Sequence, residues 1–207
     1  MKSILIVTTM LMMLPFMGSS QSIEDIDEVT SFHEELAAIR KAEKWAFINT
    51  KGDIVIDYRE DLVKPKTDAS IPYPYFSDGR CLIKKMKDGI LYYGYMDTTG
   101  KTVIEPQYLS AIPFHKGHAI VLKIVKEELG KNDLLDKNVV SYSYDEVVID
   151  PKGAIKAHLA GPEHLIFTKE KLKKRPTIQS YFLSPNLIVA KTKSKHWKIY
   201  ALDTSSN

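Results

Sequence analysis

Few side chains in this 207-residue chain stand at spacings that suit chemistry. His115-Lys116-Gly117-His118 sets two imidazoles three residues apart, but no cysteine or carboxylate adjoins them to complete a metal site. Glu24-Asp25-Ile26-Asp27-Glu28 is acidic enough to suggest calcium, yet it lacks the loop spacing and glycine of a calcium hand. It reads as a solvated acidic segment. Serine, histidine and aspartate are all present without a Gly-x-Ser-x-Gly nucleophile elbow, and no glycine-rich phosphate loop follows a strand. The basic run Lys169–Arg175 would attract an anionic glycan, headgroup or nucleic acid, or simply be a solvated loop or short helix ending before Pro176. Within it Lys173, Lys174 and Arg175 are the candidate binding residues. Tyr73, Tyr75, Tyr92 and Trp197 join them as rings that would stack on a sugar if exposed. No catalytic residue, metal ligand or cofactor is expected.

Repetition is stronger than any of these signals. Asn49-Thr50-Lys51-Gly52, Asp97-Thr98-Thr99-Gly100 and Asp150-Pro151-Lys152-Gly153 each follow a hydrophobic run, and Asp203-Thr204-Ser205-Ser206 is a degenerate fourth copy. Asp or Asn opening a type I turn, with glycine as its fourth residue at positive φ, closes a hairpin. The turn starts lie 48, 53 and 53 residues apart. A second element repeats alongside: Phe76-Ser77-Asp78-Gly79 leads into Arg80-Cys81-Leu82-Ile83, and Phe114-His115-Lys116-Gly117 into His118-Ala119-Ile120-Val121. Weaker copies start at Phe32 and Phe182. Glu35 takes the glycine position in one, at a cost of roughly 1 kcal/mol if φ is positive there. In the other, Pro185 cannot adopt that conformation, so Asn186 is expected to take the left-handed role.

These residues resemble the WG repeat. Its pattern reads roughly Phe-x-x-Gly-x-Ala-x-Val, then Trp-Gly-x-Ile-Asp-x-x-Gly, then Val-Ile-x-Pro-x-Tyr. Phe114–Val121 matches the first block, Tyr93–Gly100 the second with Tyr for Trp, and Val103–Tyr108 the third. Trp45–Gly52 keeps the Trp and has Ala46 for Gly. The likeness is strong over 32–121 and degenerate over 142–203. It implies an all-β protein of antiparallel hairpin or meander repeats and no enzymatic activity. It transfers no ligand and no catalytic residue.

The expected organisation is one β-repeat domain over 21–207, with units at about 32–57, 76–108, 114–157 and 182–207. Inserted segments at 58–72, 126–138 and 158–180 are expected as loops that carry partner-specific contacts. Helix-forming residues at 22–43 offer a minor helix near the N-terminus as the alternative, capping a first copy that begins at Trp45. The repeat register instead makes Leu36–Arg40 a strand turning into Trp45, and that reading is favoured. Cys81 aligns with Ala37, Ala119 and Leu187, a small core position rather than a reactive thiol. Gly94, in mid-strand, marks close approach of another backbone or ring.

Lys2, the apolar run Ile4–Phe16, and Gly18 and Ser20 ahead of Gln21 read as a secretory signal peptide over 1–20. The run is too short for a comfortable membrane span. Its removal lowers the formal charge from +3 to +2, which favours neither an anionic nor a cationic partner. The expectation is a secreted or periplasmic, non-catalytic protein that binds a protein partner in a bacterial envelope. A carbohydrate or cell-wall binding module is the alternative. Nucleic acid is disfavoured as a partner, and no transmembrane span is expected in the mature chain.

Overall fold

A computed structural model describes residues 22–65, 72–132, 137–166, 175–192 and 194–202. The expected signal peptide, Lys173, Lys174 and the Asp203 turn lie outside the described residues. Strands β1 (Glu28–Val29), β2 (Ala37–Lys41), β3 (Lys44–Ile48) and β4 (Ile54–Arg59) form one antiparallel sheet in that order. Strands β5 (Cys81–Lys87), β6 (Ile90–Met96), β7 (Thr102–Ala111), β8 (Ala119–Asn132), β9 (Lys137–Ile149) and β10 (Ile155–His164) form a second meander. Strands β11 (Tyr181–Ser184), β12 (Leu187–Lys191) and β13 (Trp197–Ala201) form a third. The fold is all-β, and no helix occurs among the described residues. The N-terminal region follows the repeat register rather than its helix propensity: Arg40 pairs with Trp45 and Ala38 with Phe47.

Period-two alternation assigns neighbouring side chains to different cores. Along β5, Cys81 and Ile83 join Trp45, Phe47 and Phe76 in a first core, whereas Leu82 joins Tyr95, Phe114 and Val121 in a second. Along β8, Ala119 and Val121 belong to that second core, and Ile120 joins Val148, Ile188 and Ala190 in a third. Each middle hairpin is therefore buried on both faces, one against the unit before it and one against the unit after. Edge-to-face aromatic pairs seal the first two junctions. Phe47 meets Phe76 at 4.8 Å and Tyr95 meets Phe114 at 4.8 Å. The Tyr95 hydroxyl donates to Ile112 O at 2.8 Å, which satisfies it inside the core. Cys81 is buried as expected, and burial pushes its thiol far up.

The turns fix how successive hairpins stack. Residue pairs 34–35, 78–79 and 116–117 all have positive φ, as type I′ hairpin turns require. The Glu34 carboxylate accepts from the N–H groups of Asp78 (2.6 Å) and Gly79 (2.8 Å). The Asp78 carboxylate in turn accepts from Gly117 N–H at 2.7 Å. The Asx turns form a second row. Asn49, Asp97 and Asp150 each accept two backbone N–H groups, from residues two and four positions on. Ile56 packs on Gly100 and Ile104 on Gly153, so each unit rests on the next Asx turn. The Thr99 hydroxyl and these N–H groups hold the Asp97 carboxyl below its ordinary range. At Asp150, burial pushes upward, but hydrogen bonds from Ala154, Lys152 and Lys156 outweigh it.

Three expectations need correction. Residues 126–132 and 137–138 are strand, not loop, because Val139, Val140 and Tyr142 give the polar side of this hairpin a strand-forming partner; Gly130 takes the bulge. The segments 58–59 and 158–164 likewise extend β4 and β10. In the last unit Asn186 is not left-handed. Pro185 fixes a negative φ at the first turn position, so the type I′ turn of the other units cannot form. The register slips by one: Ile188, opposite Tyr200, takes the place that Cys81 holds opposite Met96, and Leu187 does not.

Gly94 is required by the neighbouring bulge. Between Tyr93 and Tyr95 the partner strand β7 carries two extra residues, and a methyl group on Gly94 would lie 2.6 Å from Pro106 N and 2.8 Å from the Glu105 carbonyl carbon. Opposite Ala46, β4 carries one extra residue, and alanine fits. Gly94→Ala is expected to cost at least about 2 kcal/mol in urea unfolding, and Ala46→Gly only about 0.5–1 kcal/mol. Glu35→Gly, which relieves a positive φ of 66°, is expected to raise stability by about 1 kcal/mol in the same assay.

Candidate functional site

The third junction begins like the others and then opens. On β9, Val148 faces the core, and two residues earlier on the same face stands Glu146, then Tyr144. On β13, Tyr200 packs in the core and Lys198 follows outward; on β12, Ala190 gives way to Thr192. Apolar facing pairs thus become polar along the strands, and the sheets part around a cleft of about 680 Å³.

The walls of this cleft carry opposite charge. Glu146 and Glu163 come from β9 and β10, and Lys191, Lys195 and Lys198 from the β12–β13 hairpin. Thr177, Gln179 and Tyr200 complete its polar lining. Among the described residues no ion pair within 4 Å bridges the two walls. Glu146 is buried, and its Oε1 accepts from Ser180 N–H at 2.8 Å, which ties the end of the 158–180 insertion to β9. Burial, with Glu163 and Glu146 close by, pushes the Tyr144 phenol up. Gly161 forms part of the lining, at φ 117°; a side chain there would strike Asp145 Oδ1 and Tyr144 O. The Tyr200 hydroxyl donates across the junction to Leu159 O at 2.7 Å.

The residues singled out in the sequence do not converge. Tyr73 and Tyr75 cluster with His33, whose Nε2 lies 3.0 Å from the Tyr73 hydroxyl. Tyr92 packs, half-buried, beside Ile90 and Leu109 on the middle sheet. Trp197 is exposed on β13, edge-on to Tyr181 and under the Lys191 ammonium. Arg175 Nη1 donates to the Tyr93 hydroxyl at 3.1 Å, a bond that holds the insertion against β6. His115 and His118 flank the Lys116-Gly117 turn as backbone partners. No three His, Cys, Asp or Glu side chains gather around a common point among the described residues.

A family model described as WG containing repeat matches residues 25–45 and 93–123. Those two segments match the WG repeat. The second match runs from Tyr93 through the Asp97 turn and the Phe114 turn into β8, so one WG repeat match spans the second junction. Comparison with the curated proteins and with the solved structures finds no match. No helix among the described residues is long and apolar enough to cross a membrane.

The cleft residues carried one sequence signal, the inserted segment 158–180. The strand residues Tyr144, Glu146, Lys198 and Tyr200 carried none, since only stacking brings β9 against β13. Removing the Glu146 carboxylate leaves a buried Ser180 N–H without its acceptor. Glu146→Ala is expected to lower stability by about 1–3 kcal/mol and to speed Ser180 amide exchange, while Glu146→Gln, which keeps an acceptor, loses less.

Proposed function

We propose that this is a secreted or periplasmic binding protein that holds a protein partner in a bacterial envelope and performs no chemistry of its own. The observation that carries the reading is the cleft with an acidic wall on β9–β10 and a basic wall on β12–β13. The polar groups of the repeated turns are occupied in holding one unit to the next. Of the cleft's charges, Glu146 is occupied by the Ser180 N–H, while among the described residues Glu163, Lys195 and Lys198 enter no ion pair within 4 Å. An extended segment with cationic side chains on one edge and anionic ones on the other would satisfy both walls, and its backbone would find Thr177, Gln179 and Thr192. The WG repeats support a binding role, and the N-terminal segment supports the location. A sugar would need several accessible rings on one surface, and the four candidate rings lie in three separate places.

Pull-down from envelope extract with the wild-type protein and with the charge-reversed pair Glu163→Lys and Lys198→Glu tests this. The expected outcome is a protein captured by the wild type at micromolar concentration, lost with the variant and weakened by salt. Equal capture by both, or capture of glycan alone on an array, would overturn it.

A further inference from the structure

The two ends of the stack differ. At the first sheet the face turned away from the first core is closed: Ala37, Ile39 and Ala46 are all buried. At the third sheet the corresponding outer face is open. Tyr181, Val189 and Ile199 stand in one cross-strand row, and Trp197 lies two residues along from Ile199. Trp197 and Ile199 are 57% and 59% exposed, and Tyr181 and Leu183 are exposed beside them.

This face has direct counterparts inside the molecule. Val189 pairs with Ile199 as Leu82 pairs with Tyr95 and Ile120 with Val148. At both internal positions the face is covered by the next unit of the same chain. At the last unit the face keeps Tyr181, Leu183, Trp197 and Ile199 exposed around a buried Val189. We propose that it is closed by the same face of a second copy, giving a two-fold symmetric dimer joined through the third sheets.

Three observations favour that occupant. The internal junctions show that what fits such a face is another hairpin unit of this chain. A head-to-tail copy has nothing to dock on, because the first sheet's outer face is already buried; the open face of the second copy is the matching surface that remains. The centre of the face, Tyr181, Val189 and Ile199, carries no charge. Its nearest cation, Lys191, lies over the Trp197 ring and can extend its ammonium to water when the face closes. The largest apolar patch on a typical monomer is roughly 300–600 Å² and is often functional, and interfaces of about 800 Å² per partner are typical of stable complexes. A four-side-chain patch belongs to the smaller class, so dissociation in the micromolar range is expected. The proposal does not rest on the cleft, which Lys198 and Tyr200 line from the other face of the third sheet; Lys191, at the strand end, borders both.

Sedimentation of the purified protein from low micromolar to submillimolar concentration tests it. The mass is expected to rise from monomer to dimer. Trp197→Lys with Ile199→Lys should hold it at monomer, whereas the cleft variant Glu163→Lys should dimerise like wild type. A wild type that stays monomeric, or a double variant that still dimerises, would overturn the proposal. Ile199→Cys guards against a variant that unfolds. Cys81 is buried, so a short bis-maleimide should join two copies only through position 199, and absence of that product would also count against the dimer.

Discussion

A hairpin of two or three short strands cannot hold itself together in water. Every other feature here follows from the solution to that constraint, which is to bury each hairpin on both faces between its neighbours in the chain. Cys81, Leu82 and Ile83 are consecutive, all buried, and divided between two cores. A strand with one solvated face would alternate apolar and polar; these central strands read as continuous apolar runs because neither face meets water. The edge-to-face pairs Phe47–Phe76 and Tyr95–Phe114 are the same contact made one unit apart. The small residues Ala37, Cys81 and Ala119 hold equivalent positions at the start of the central strands.

Burial alone does not set how one sheet lies on the next; hydrogen bonds between turns do. Glu34 grips the turn at Asp78, and Asp78 grips the turn at Gly117. The series then meets two residues that cannot continue it. Lys116 stands where an acceptor carboxylate is needed, and Pro185 offers no N–H. Without that link the last hairpin adopts a register one residue displaced. Its sheet is joined to β9 and β10 through Tyr200 and the Glu146–Ser180 bond instead. The cleft occupies the place where this junction departs from the other two.

Much of this architecture was legible in the residues. Asn49, Asp97 and Asp150 announced their turns because an Asx side chain bonding forward to backbone N–H is a local event. Gly94 announced a close approach because only glycine permits one, although which atoms approach, those of Glu105 and Pro106, depends on a bulge set by strand pairing. The β8–β9 extension was not legible, since polar residues such as Lys126 and Glu127 form strand here through their partners rather than their own preference. The one-residue slip at Ile188 was hidden because Phe182 offered an alignment by eye that Pro185 forbids in space. The candidate rings were chosen one by one for their chemistry, whereas the cleft arises from two strand faces more than fifty residues apart in sequence.

Repetition and function divide the molecule between them. In a stack, a residue that recurs in each unit is one that every junction needs, so the recurring positions report on stacking. Phe76, Gly94 and Asp97 illustrate this: each side chain, or the lack of one, is accounted for by a neighbour within the protein. What the stack does not account for is confined to its last third. There the Asp78-type bond is absent, β9 and β13 turn polar toward one another, and the outermost sheet keeps apolar side chains on a face that its internal equivalents cover. A terminal unit in a solenoid ordinarily presents a polar outer face, because an apolar one invites association. Here the outer face keeps Trp197 and Ile199, and the closed face is at the opposite end. The energetic asymmetry of the stack therefore points its unsatisfied surface, polar on one side of the third sheet and apolar on the other, in a single direction.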